Sequence, residues 1–148
     1  MYRLYTICNM YLSSVQNGIQ SAHVVHELFN KYGLHADDPI KANQLEQLID
    51  WSINHKTMIV TNGGMTEHME AIIPIVEASG LPWALFDEPG IGDALTCIGV
   101  VVPERLYNAD VSRLVPTNWF TKMFGQKSEF TPEEVTFIRM LKSKQLAR

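Results

Sequence analysis

At 148 residues the chain is long enough for one domain that buries about two-thirds of the surface its unfolded form would expose. Its composition, 46% hydrophobic and 19% charged, is that of an ordinary globular protein. The net charge of −4 argues against a large nucleic-acid surface, and the lack of any apolar run of about 18 residues argues against a membrane span.

The acidity is uneven. From Pro116 onward six basic residues stand against three acidic ones. A solvated helix face accounts for them, with phosphate contact as the alternative. The first residues, Met1 to Cys8, lack the long apolar core and small-residue cleavage site of a secretory signal and read as a strand. A cytoplasmic location is therefore expected. Cys8 and Cys97 each lie in an apolar run, so two buried thiols are expected and no disulfide framework.

The elements follow in chain order. Tyr2–Met10 reads as a strand. Ser13 and Ser14 offer caps for a helix whose apolar positions include Ile19, Ala22, Val25, Leu28 and Phe29, closed by Gly33. Asp37-Asp38-Pro39 marks a loop, and Ala42–Ile53 a second helix. Lys56–Thr61 is a short buried strand ended by Asn62-Gly63-Gly64. Thr66 caps a third helix that reaches Gly80. Pro82–Phe86 and Leu95–Val102 are the third and fourth strands, the last apolar enough to be covered on both faces. Glu104–Leu114 is expected to be a short helix. Pro116–Lys127 is irregular, with Trp119, Phe120 and Phe124 expected to pack on the body. Thr131-Pro132-Glu133-Glu134 starts a final helix that runs to about Gln145.

Strands alternating with helices predict a three-layer α/β/α fold around a largely parallel four-stranded sheet, plus a C-terminal helical extension. Residues 1–115 form the α/β domain in this reading, and residues 116–148 the extension with its capped helix.

Chemistry concentrates at two places where strands end. Gln20, His23 and His26 recur every third residue near the start of the first helix, on or near one face. Asp87 and Glu88 close the third strand before a Pro-Gly turn. Neighbouring strand residues face opposite ways, so one of the two carboxylates is expected in a given pocket. Ligands of open α/β sheets tend to sit where strands end and helices begin. The glycine turns Asn62-Gly63-Gly64 and Gly90-Ile91-Gly92 match neither a P-loop nor a dinucleotide fingerprint. A metal would need further ligands, so neither metal nor cofactor is expected.

The whole layout resembles the type-2 peptidyl-tRNA hydrolase family. Gln20 and His23 fall on the Gln and His of that family's Gly-Lys-x-Ala-Ala-Gln-x-x-His helix start. Trp51 and Lys56-Thr57-Met58-Ile59-Val60 take the next positions. Gly80-Leu81-Pro82-Trp83-Ala84-Leu85 matches its Gly-Leu-Pro strand, and Leu95–Gly99 its last strand. The resemblance covers about residues 2–103. It departs where the chemistry lies. Gln16 occupies the position of the family's catalytic lysine, Glu88 that of its aspartate and Gly92 that of its threonine, and the loop after Glu88 is shorter. Loss of an oxyanion-type donor costs about 100- to 1000-fold in rate.

The resemblance and the residues together favour a non-catalytic protein that binds or sequesters a nucleotide-like small molecule. Gln16, Asn17, Gln20, His23, Asp87 and Glu88 are its expected ligand-binding residues. Viral anti-defence is one setting for such a sponge. The first alternative is a divergent hydrolase of peptidyl-tRNA or a related ester, with tRNA as partner. There His23 would be the general base and Glu88 would orient it. The second is a structural or partner-binding subunit, with a homo-oligomer expected.

Overall fold

The computed structural model describes residues 1–114 and 129–147. The elements are β1 (Tyr2–Asn9), α1 (Ser14–Gly33), α2 (Pro39–Asp50), β2 (Met58–Gly64), α3 (Thr66–Ala78), β3 (Trp83–Glu88), β4 (Ala94–Pro103), α4 (Glu104–Tyr107) and α5 (Pro132–Ser143). The expected packing of Trp119, Phe120 and Phe124 lies outside the described residues.

The four strands lie in the order β2-β1-β4-β3. β1 and β2 pair parallel, whereas β4 runs antiparallel to both β1 and β3. The sheet is therefore mixed, and the expectation of a largely parallel sheet is corrected. The cause is the connection between β3 and β4. Only Pro89–Asp93 separates them, far too few residues for the crossover a parallel pair requires, so β4 turns back on β3. The ends of β1, β2 and β3 nevertheless gather on one side of the sheet, beside the start of β4.

Helices cover both faces. On one, Ile7, Ile98, Val100 and Val102 pack against Met69 and Val76 of α3 and Phe137, Ile138 and Leu141 of α5. On the other, Leu4, Cys8, Cys97 and Val101 meet Val24, Leu28 and Tyr32 of α1 and Leu48 of α2. β4 is buried along nearly its whole length, as its continuous apolar run requires. The C-terminal helix thus shares the central core. Gly99 lets α1 sit close to the sheet: a Cβ there would lie 2.1 Å from Val24 Cγ1.

Several boundaries move for local reasons. Asp38, read as loop, caps α2 through a bond from Ile40 N, so that helix starts at Pro39. Beyond Asp50 the chain widens into a π-turn over Trp51–His55, and Lys56 takes a left-handed φ of 59° to leave it. The segment after Glu104 stays helical only to Tyr107 and then tightens into a 3₁₀ turn at Val111–Arg113. Among the described residues no helix is long and apolar enough to cross a membrane.

Candidate functional site

Two β-bulges shape the end of the sheet where β1, β2 and β3 finish. Along β3 and β4 the register passes from Phe86↔Cys97 to Asp87↔Leu95 and skips Thr96. Bulges re-aim a side chain, and here Thr96 turns toward α1 beside Cys97. Along β1 and β2 the register passes from Cys8↔Asn62 to Asn9↔Gly64 and skips Gly63. Only glycine fits there, because a Cβ would come within 2.8 Å of Ile7 Cγ2 and 2.9 Å of Met69 Cγ.

Gln20 is the centre of the first cluster. Its side chain is buried, its Nε2 donates to Glu88 Oε2 at 2.9 Å, and its Oε1 accepts from Thr96 Oγ1 at 2.7 Å. One amide thereby ties α1 to β3 and β4. The other oxygen of Glu88, Oε1, accepts from Gly90 N at 3.2 Å. These two donors, Gln20 first, hold the Glu88 carboxyl below the ordinary glutamate range, with His23 adding a smaller attraction. Glu88 is a fixed, ionised acceptor at the strand end. His23 stands one turn along α1 from Gln20, exposed, with its ring stacked on Phe86 at 4.3 Å between centroids and 7° between planes. Its ring nitrogens make no hydrogen bond among the described residues, so the imidazole is not oriented by a carboxylate as a general base is.

The other expected residues are placed differently. Gln16 is exposed and belongs to the capping box of α1: Ser13 N donates to Gln16 Oε1 at 2.8 Å, and Gln16 N donates to Ser13 Oγ at 3.3 Å. Its carbonyl is committed to the helix start. Asp87 points away from Gln20 and is exposed. Partial burial, then the neighbouring charge of Asp93, hold its carboxyl above the ordinary range. The strand pleat has thus chosen Glu88 of the pair. Asn17 is buried on the β1 side of α1, where it lines a separate cleft with Asn9, Asn62 and Gln145.

Thr96 is the residue that sequence reasoning missed. No motif marks it. It lies inside an apolar run, and only the bulge that removes it from the β4 alternation brings its hydroxyl to Gln20.

The two thiols are free and buried. Cys8 and Cys97 are register partners on β1 and β4, with sulfurs 3.5 Å apart, and Cys8 Sγ is 3.6 Å from Ser21 Oγ. The hydrogen bond with Cys97 brings the Cys8 thiol down to about 7, while the same bond and burial push Cys97 up. Among the described residues no group of three or more His, Cys, Asp or Glu side chains can hold a metal ion. No protein-family profile and no curated protein sequence matches this chain.

Proposed function

We propose that the protein binds a nucleotide-like small molecule without turning it over, on a scaffold that resembles the type-2 peptidyl-tRNA hydrolases. The Gln20–Glu88–Thr96 network carries the reading, with His23 exposed beside it. A carboxylate held by two N–H donors is a ready acceptor for ribose hydroxyls, and an exposed imidazole is a donor for phosphate. The position that matches the family's catalytic lysine holds Gln16, whose carbonyl is engaged in the α1 cap. The cluster therefore lacks a fixed cation where negative charge would develop during ester cleavage. A cytoplasmic setting goes with this proposal.

The test incubates the intact protein with a panel of ribonucleoside phosphates and, separately, with peptidyl-tRNA. Expected are thermal stabilisation and calorimetric binding of a nucleotide with no product released. His23→Ala should weaken that binding about 10- to 150-fold, the factor for a lost hydrogen bond to a charged group, and lower the melting temperature by no more than about 6 °C, the loss of the stack on Phe86. Released peptide would replace this reading with the divergent hydrolase. Unchanged affinity in His23→Ala would place the ligand elsewhere.

A partner-binding role is the second reading. Met10, Tyr11 and Met65, each more than half exposed, line one groove between the end of β1 and the start of α3, and clustered apolar surface marks contact sites. Light scattering tests this reading. A dimer that Tyr11→Glu dissociates would support it, and a monomer across the micromolar range would end it for a second copy of this chain.

A further inference from the structure

The cleft between the end of β1, the start of α1 and the C-terminal segment has a donor–acceptor balance that packing leaves open. Its volume is about 190 Å³. Asn9, Asn17, Asn62 and Gln145 line it with Leu12, Leu146 and the Cys8 thiol, and no Asp, Glu, Lys, Arg or His does so among the described residues. Asn9 is 1% exposed and Asn17 7% exposed, yet the carbonyl oxygens Asn9 Oδ1 and Asn17 Oδ1 have no hydrogen-bond partner among the described residues. The orientation of Asn9 is fixed by chemistry. Its Nδ2 donates to Leu95 O at 3.2 Å and to Thr66 Oγ1 at 3.0 Å, and a backbone carbonyl can only accept. Its free atom is therefore an acceptor. Native proteins pair nearly all such buried atoms, so Asn9 Oδ1 points to a missing donor at the cleft; the Asn17 amide, oriented by no side-chain hydrogen bond among the described residues, is free to turn its oxygen to the same donor.

The outer wall is the segment after α5, which adds a short antiparallel edge to β2. Thr61 bridges Leu146, Asn62 N donates to Gln145 O at 2.8 Å and Ala147 N donates to Val60 O at 3.0 Å. This pairing brings Gln145 and Leu146 over the cleft.

We infer that this cleft is a binding site for an uncharged nucleobase that bears an exocyclic amino group. Such a group carries two N–H donors on one nitrogen, one for Asn9 Oδ1 and one for the oxygen of the Asn17 amide. An ammonium group would need a carboxylate, and none lines the cleft. The flat ring finds apolar walls in Leu12 and Leu146. The amide nitrogens of Asn62 and Gln145 are available for its ring acceptors, in the way Asn and Gln meet adenine elsewhere. The inference does not rest on the Gln20–Glu88 cluster, because the two sites share no residue.

The probe is free adenine against purine, the same ring without the amino group, measured by ligand-observed NMR titration on the intact chain. Adenine should bind about 5- to 150-fold more tightly, the factor for leaving buried acceptors unpaired. Asn17→Leu should erase that preference while the ligand-free protein melts at or above the wild-type temperature, because a buried amide without a side-chain partner has been removed. Asn17→Ala cannot overpack the cleft and should erase it as well. Equal binding of adenine and purine, binding of neither, or an adenine preference that survives both variants would overturn the inference. Ribose 5-phosphate, run alongside, reports on the Gln20–His23 cluster alone, so the two readings fail separately.

Discussion

Replacement of Thr96 by valine removes the hydroxyl on which the candidate site depends, which lies 2.7 Å from Gln20 Oε1 and 3.2 Å from Phe86 O. The two side chains have nearly the same shape, so the substitution removes a hydroxyl and leaves the packing intact. Thr96 is fully buried and Gln20 nearly so, and the bond between them is 2.7 Å. Without the hydroxyl, Gln20 Oε1 is a buried acceptor with no donor, which costs about 1–3 kcal/mol. For a chain of this size each kcal/mol lowers the melting temperature by about 2–4 °C. Thr96→Val should therefore melt about 2–12 °C below wild type. The double variant Thr96→Val/Gln20→Leu removes both partners of that bond, so beyond it only the Gln20–Glu88 bond is lost, a loss that the Gln20→Leu single shares. Thermal and urea unfolding of the two single variants and the double complete the cycle. The coupling should be about 1–2 kcal/mol in favour of the pair, within the range for side chains in direct contact. A Thr96→Val protein that melts like wild type, or a double variant whose loss is the plain sum of the two singles, would refute the network.

Three further outcomes follow from other contacts. Gly99→Ala should destabilise by about 1–3 kcal/mol in denaturant unfolding, because its new methyl meets Val24 Cγ1; Val24→Ala should recover part of that loss, and strictly additive losses would exclude the clash. Glu88 has a folded-state carboxyl below the ordinary range, so its contribution to stability is complete above that range and disappears as pH falls through the folded value. Acid titration followed by circular dichroism should show a shallower decline for Glu88→Gln, and identical acid limbs would mean that the two N–H donors do not hold the charge. Phe137 is fully buried in the core shared by α5 and the sheet, so Phe137→Ala should cost about 3–5 kcal/mol by thermal melting; a loss under about 1 kcal/mol would make α5 a peripheral addition.

The sequence by itself determined the elements, since each depends on local chemistry. Ser13 and Gln16 close a capping box within one turn, the apolar positions of α1 recur at helical spacing, and the unbroken run of β4 demands cover on both faces. It also put Gln20 and the Asp87–Glu88 pair near points where a strand gives way to a turn or helix, without choosing between the two carboxylates. Tertiary structure alone decided the rest. Periodicity tells which way a side chain points within its own strand and carries nothing about which strand lies beside it. The antiparallel seat of β4 between β1 and β3 is therefore a long-range choice. The same holds for the bulges at Gly63 and Thr96, which exist only as slips between paired strands. The slip at Thr96 brings a hydroxyl from an apolar run to Gln20. The parting of Asn17 from Gln20, one turn away on the same helix, depends on which strand end each side of α1 covers.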